Sequence, residues 1–163
     1  MSQPVISQLT KRHDRSEFDC GVGSLNEYLR RQAGQDVRKN VAACFVLHHA
    51  DSPVVVGYYT LSAYGIVTSD FPPSHSKKLP SYPLIPATLL GRLAVGLGQS
   101  GQGYGSFLVA DAIRRTIRHK TEIASYALVV EALDDSARRF YEHLDFLSFP
   151  EERQKLFLPL SNI

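Results

Sequence analysis

The chain has 163 residues, 44% of them hydrophobic and 21% charged, which is the make-up of one folded domain with its own core rather than of a disordered segment. Lysine and arginine number 18 against 16 acidic residues, and the net charge of +2 is too small to demand a polyanionic partner. Cys20 and Cys44 lie far apart with no C-x-x-C spacing and no nearby histidine pair, which excludes a disulfide framework and gives no metal site.

No apolar run approaches the roughly 20 residues of a membrane span, and the stretch from Met1 to Arg15 lacks the apolar segment of a secretory signal. The expectation is a single cytoplasmic domain, residues 1–163, with reduced thiols. No internal repeat or low-complexity tract divides it.

In chain order, Val5 to Leu9 reads as a short first strand. Leu25, Tyr28, Leu29 and Ala33 then recur at helical spacing, with Ser24 as N-cap, Glu27 three residues on, and Gly34 ending or kinking the helix. Val41 to His48 and Val54 to Val67 are dense in Val, Tyr, Thr and Ile around Asp51-Ser52-Pro53, the pattern of an antiparallel hairpin. From Phe71 to Pro86 the chain is rich in Pro, Ser and Lys and reads as a long loop with Lys77 and Lys78 near its tip.

Thr88 to Val95 is a buried-type strand. A glycine-rich turn, Gly96 to Gly105, follows, and Phe107, Leu108, Ala110, Ala112, Ile113 and Ile117 mark a helix from Ser106 to Lys120. Tyr126 to Leu133 is another strand, Asp135 or Ser136 caps a helix carrying Ala137, Phe140, Tyr141 and Leu144, and Phe146 to Phe149 and Leu156 to Leu160 are two last strands. The fold class is mixed α/β, a mostly antiparallel sheet with a central parallel βαβ unit.

Three glycine-loop chemistries compete. A P-loop needs Lys after the glycines, and none follows. A dinucleotide fingerprint occurs by the letter at Gly96, Gly98 and Gly101, with Glu131 or Asp134 as ribose ligand; fewer than about 30 residues follow Asp134, too few for the further βαβ units of that fold. The third reading places Gly101, Gly103 and Gly105, followed by Ser106, as backbone donors at a helix N-terminus, where a pyrophosphate such as that of coenzyme A approaches the amides. A plain tight turn accounts for two glycines and not for three.

Leu93-Ala-Val95, then Gly101-x-Gly103-x-Gly105, then Asp135-Ser-Ala-Arg-Arg-Phe-Tyr141-Glu-His-Leu-Asp-Phe146 resemble the acetyl-CoA core of the GCN5-related N-acetyltransferases, in element order over nearly the whole chain. That family usually has Arg or Gln three residues before the middle glycine; here Ser100 stands there, after Gln99. The resemblance implies that Leu93, Ala94, Val95, Ser100, Gly101, Gln102, Gly103, Tyr104, Gly105 and Ser106 hold acetyl-CoA. It also implies that the Val95 amide faces the oxyanion and that Tyr141 is the general acid; helical spacing alone would make Tyr141 a core aromatic beside Phe140. Phe18-Asp-Cys-Gly-Val-Gly-Ser-Leu-Asn-Glu-Tyr-Leu29 and Leu90-Gly-Arg-Leu-Ala-Val95 are further similar to the acetyltransferase toxins of bacterial toxin-antitoxin pairs, which acetylate aminoacyl-tRNA and block translation. A ribbon-helix-helix antitoxin and a homodimer are implied by that resemblance and not by composition or spacing.

The α-amine of an aminoacyl ester is less basic than lysine, so no dedicated base is needed. Glu131 is the best-placed carboxylate, ahead of His48, His49 and His143. For an RNA acceptor the basic candidates are Arg30, Arg31, Arg38, Lys39, Lys77, Lys78 and Arg92, with Arg92 beside the cofactor strand. The same core would serve a small-molecule or protein amine, and a catalytically silent acetyl-CoA-binding module is a further alternative.

Overall fold

The computed structural model describes residues 2–161, and its elements follow the hydrophobic periods of the chain. Strand β1 (Pro4–Gln8) is followed by a helical run of three pieces: α1 (Gly23–Glu27), a π-helical turn (Tyr28–Gln32) and α2 (Ala33–Arg38). Strands β2 (Ala43–His49) and β3 (Gly57–Val67), the short α3 (Pro73–Ser76) and the long β4 (Leu84–Val95) come next. Helix α4 (Tyr104–His119), β5 (Ala127–Glu131), α5 (Asp135–His143), β6 (Leu147–Ser148) and β7 (Lys155–Pro159) complete the described part.

The chain forms two compact units, one built from residues up to Ser62 and from Gly91–Arg114, the other from Ala63–Leu90 and from Arg115 onward. In the first, β1 pairs antiparallel with β2 (Val5↔His48) and β2 with β3 (Cys44↔Thr60). Cys44 and Val46 of β2, Tyr58 of β3, Tyr28 and Leu29 of the π-helical turn and Ala33 of α2 converge with Phe18, Val55 and Ala94 on one core. Each large side chain there adds about 1.5–3 kcal/mol of burial. Burial also pushes the Cys44 thiol up to about 12, so it holds its proton.

In the second unit β4 runs parallel to β5, with Thr88↔Leu128 through Leu90↔Val130 in register; the rest of β4, Gly91–Val95, belongs to the first unit. β5 pairs antiparallel with β7, and β7 with β6. α4 makes the crossover between the parallel strands, so the mixed sheet carries the expected βαβ unit. An aromatic cluster fills this unit's core, with Phe71 set edge-on to Phe157 at 5.2 Å and Phe149 at 4.8 Å from Phe157.

Four local expectations change. The first helix starts at Gly23 with Val22 in the cap position and no side-chain cap, so Ser24 is not the N-cap. Gly34 lies inside α2; the irregularity is the π-helical turn that ends two residues before it, at Gln32. Asp134, not Asp135 or Ser136, caps α5, its carboxylate accepting the Ala137 amide at 2.8 Å. The stretch from 71 to 86 is also more ordered than a plain loop, because Pro73 opens α3 and β4 starts at Leu84. Among the described residues no helix is long and apolar enough to cross a membrane.

Candidate active site

The glycine-rich turn is pinned at its start by backbone bonds. Gly96 N–H donates to the Val56 carbonyl at 2.9 Å and Leu97 N–H to the Asp19 carbonyl at 2.8 Å. A 3₁₀ turn over Leu97–Gln99 follows, closed by the Ser100 hydroxyl donating to the Leu97 carbonyl at 3.0 Å. Ser100 thus turns its side chain onto the loop's own backbone, where the resembling family has a longer Arg or Gln.

Gly101 and Gly103 then sit at φ 79° and 75°, the left-handed region that side chains with a Cβ disfavour. A Cβ built at Gly98, Gly101 or Gly103 meets no atom within 4 Å, so the backbone is open to an approaching group. The first i→i−4 bond of α4 is Phe107 N–H to the Gly103 carbonyl at 3.0 Å, which leaves the amides of Tyr104, Gly105 and Ser106 without an acceptor inside the helix. Three such amides, at the positive end of a 16-residue helix, suit a pyrophosphate. Leu93 and Val95 are half-buried, Ala94 is buried and Gln102 exposed. The Tyr104 hydroxyl lies 3.4 Å from His49 Nε2.

The segment from Phe18 to Arg30 forms a polar knot beside this turn. Asp19 Oδ1 accepts the Gly21 amide and Asn26 Nδ2, each at 2.9 Å, while Asn26 Oδ1 accepts the Cys20 amide at 2.9 Å. The Gly21 and Asn26 bonds hold the Asp19 carboxyl below the usual carboxylate range. Arg30 donates to the Phe18 carbonyl at 2.6 Å. Asn26 is buried, and its only mark in the sequence is its place between Leu25 and Tyr28 on the apolar stripe of the helix.

Arg92, near the end of β4, is exposed, yet its Cζ lies 3.7 Å from the centre of the Tyr28 ring. Tyr28 donates its hydroxyl to Asp36 Oδ2 at 2.8 Å, and burial, followed by that bond, pushes its pKa up. Of the other basic candidates, Arg30 and Arg31 pair with Glu27 at 3.5 and 3.1 Å, and Arg38 and Lys39 are exposed at the end of α2. The first unit therefore holds residues 93–106, the polar knot, Arg30, Arg31, Arg38, Lys39 and Arg92. Lys77 and Lys78, exposed after α3, belong to the second unit with Glu131 and Tyr141.

Tyr141 is 7% exposed, with the Phe140 and Phe146 rings 5.1 and 5.4 Å away. Burial raises its pKa well above that of a free phenol, so it stays protonated through the working range. Glu131 is exposed at the end of β5 and lines a cavity of about 250 Å³ with Glu152, Arg153 and Lys155. His48 and His49 are half-buried on β2, and His143 is exposed on α5. Among the described residues no cluster of three metal-ligating side chains occurs.

No family model matches the chain. A tRNA-acetylating toxin of Mycobacterium tuberculosis is 34% identical over 151 residues, 93% of this chain and 89% of that protein. The solved structure of AtaT complexed with acetyl-methionyl-tRNAfMet matches with a TM-score of 0.91 at 32% identity, over 98% of this chain and 96% of that one. A tyrosine-to-phenylalanine mutant of the AtaT toxin, bound to the C-terminus of the antitoxin AtaR and to acetyl-CoA, matches with a TM-score of 0.82 at 29% identity, over 98% and 94%.

Proposed function

Because the chain belongs to the GCN5-related N-acetyltransferases, among their tRNA-acetylating toxins, we propose that it moves the acetyl group of acetyl-CoA onto the free amine of an aminoacyl-tRNA and thereby blocks translation. It is an acetyl-CoA-dependent N-acetyltransferase. The observation that carries the choice of acceptor is the 34% identity over 151 residues with a toxin that acetylates tRNA.

The chemistry asks three things of the residues. Amides at the opening of α4, with Ser100, Gly101, Gln102, Gly103, Tyr104, Gly105 and Ser106 around them, take the pyrophosphate, and Leu93, Ala94 and Val95 take the rest of the donor along β4. The amine attacks the thioester carbonyl, and the Val95 amide bonds the oxygen that becomes negative. As the carbon–sulfur bond breaks, the Tyr141 hydroxyl gives its proton to the departing thiolate, whose conjugate acid is of the order of a cysteine thiol, about 8.5. The amine's own proton leaves to solvent. A tyrosine-to-phenylalanine substitution in the toxin captured with acetyl-CoA is in keeping with a tyrosine in this role.

Arg30, Arg31, Arg38, Lys39, Lys77, Lys78 and Arg92 supply the basic surface for RNA phosphates, so activity falls steeply with salt. We further assign the whole stretch 1–163 to one N-acetyltransferase domain, acting in the cytoplasm as a homodimer and neutralised by a ribbon-helix-helix antitoxin.

The deciding experiment supplies radiolabelled acetyl-CoA to charged total tRNA and to the same pool after deacylation. Label on the charged pool alone supports the reading. Label on neither pool, with acetyl-CoA still bound, overturns it in favour of a small-molecule or protein amine.

A further inference from the structure

An exposed arginine on a strand end usually pairs with a carboxylate or moves freely in water, since holding its long side chain in one geometry costs entropy. Arg92 is held without such a pair. Its guanidinium carbon sits 3.7 Å over the Tyr28 ring, and among the described residues no carboxylate is within ion-pair distance of it. Its backbone is fixed as well, the Arg92 amide donating to Thr60 Oγ1 at 3.1 Å.

The ring beneath the guanidinium is itself locked. Tyr28 is buried, stacks on Tyr58 at 6.3 Å and 15°, and is tied by its hydroxyl to Asp36 Oδ2 at 2.8 Å. Tyr58 in turn donates to the Leu25 carbonyl at 2.7 Å. Asp36 also accepts from Gln32 Nε2 at 2.9 Å, and these two bonds, Gln32 first, keep its carboxyl ionised below the usual range. Between Tyr28 and Asp36 lies the π-helical turn Tyr28–Gln32, a distortion that recurs at functional positions.

With one face of the guanidinium covered by the ring, its outer face and its planar fork of N–H donors are what remain to be used. A preordered fork of this kind matches the geometry of a phosphate, and ordering it beforehand removes a cost that binding would otherwise carry. We propose that Arg92 is a fixed phosphate contact for the single-stranded acceptor end of the RNA substrate, and that Tyr28, anchored by Asp36, is its positioning residue. The proposal rests on the aminoacyl-tRNA reading above and adds to it the part of the RNA that Arg92 takes and the residues that aim it. It also gives the Tyr28 end of the Phe18–Leu29 segment a task in acceptor binding.

The test compares wild type with Arg92→Gln, Arg92→Lys, Tyr28→Phe and Tyr28→Leu. Initial rates on charged tRNA are measured across a salt series, beside filter binding of a short RNA hairpin with a single-stranded 3′ end. Acetyl-CoA affinity within about twofold of wild type identifies folded variants. Arg92→Gln should raise KM for charged tRNA roughly tenfold with kcat little changed, and should reduce the log–log salt slope of RNA binding by about 0.7, the value of one single-strand phosphate contact. Arg92→Lys should keep the slope and still raise KM, because a point charge replaces the planar fork. Tyr28→Leu should raise KM by several-fold, and Tyr28→Phe, which keeps the ring and loses the Asp36 bond, by less.

An unchanged KM and slope in Arg92→Gln would overturn the phosphate contact. A raised KM with an unchanged slope would overturn it too, in favour of a base stacked on the outer face. Both Tyr28 variants behaving as wild type while Arg92→Gln fails would remove Tyr28 as the positioning residue. If the hairpin shows the slope change and no charged tRNA is acetylated by wild type, the acceptor reading is wrong and the Arg92 contact stands.

Discussion

The Ser7 hydroxyl is hydrogen-bonded to His48 Nε2 at 3.0 Å. His48 Nδ1 lies 2.9 Å from the carbonyls of both His49 and Ser52, so that nitrogen carries a proton. His13 faces the same serine oxygen at 3.3 Å through Nε2, while its Nδ1 accepts the Thr10 amide at 3.0 Å. With its Nδ1 lone pair taken by the Thr10 amide, His13 is neutral in this relay, its ring 4.9 Å from that of His48.

Acid should unravel this relay. Burial first, and then His48, depress the His13 pKa below its ordinary 6.5, with Arg12 and Arg15 acting the same way. Below that value the unfolded chain binds more protons than the folded one, so stability falls as pH drops from 6.5 and levels off once the folded pKa is passed. Melting temperatures at about pH 7.5 and about pH 5.5 should differ more for wild type than for His13→Asn, whose amide oxygen can still accept from Thr10. Equal differences would mean that His13 does not carry the effect.

Tyr141→Phe should lower turnover on charged tRNA by roughly 10²-fold while leaving acetyl-CoA binding nearly intact. Since burial raises the Tyr141 pKa, the alkaline limb due to this phenol should lie above that of a free tyrosine, at about 10. A wild-type rate for the variant would remove Tyr141 from the mechanism, and an alkaline limb near neutrality would assign the proton to another group.

Gly103→Val should abolish acetyl-CoA binding, and Gly98→Ala should leave it unchanged. Gly98 has no neighbour within 4 Å of an added Cβ and no left-handed φ, whereas Gly103 sits at φ 75°, where a side chain costs roughly 1–2 kcal/mol in the backbone alone. Gly103→Asn separates the two causes, because Asn tolerates that conformation. Calorimetric affinity retained by Asn would make backbone strain the reason, and equal loss in Asn and Val would make it the Cβ itself.

Asn26→Ala should cost about 1–3 kcal/mol, the penalty for leaving buried partners without a bond, and lower the melting temperature by about 2–4 °C for each kcal/mol. Asn26 is 8% exposed and bonds both Asp19 and the Cys20 amide. Because Asp19 also holds Leu97, acetyl-CoA affinity should fall with stability. A destabilised variant with unaltered affinity would show that the knot does not steer the loop.

The strands and the glycine turn were legible because their signals are local: runs of β-branched residues, and three glycines ahead of an amphipathic helix. The cofactor strand, the Tyr141 helix and the mixed sheet followed from order along the chain. Helix starts were harder. Val22 occupies a cap position with no side-chain bond, and Asp134, Asp135 and Ser136 are all capable caps, so backbone dihedrals rather than residue type decide between them. The five-residue π-helical turn is too short to shift a hydrophobic period. Tyr28 and Arg92 meet from elements far apart in the chain, and no spacing rule connects them.

The joint between the Phe18–Arg30 knot and the glycine turn is made from main chain, the Leu97 amide on the Asp19 carbonyl. Leu97 is 57% exposed and its side chain lies over Gly21, where an added Cβ would meet Leu97 Cδ2 at 3.3 Å, so a change of side chain alters that contact and leaves the main-chain bond in place. Proline is the exception, because it deletes the donor. Relatives can therefore differ in the side chain at this position and still share the joint, and a comparison of side chains alone would pass over it.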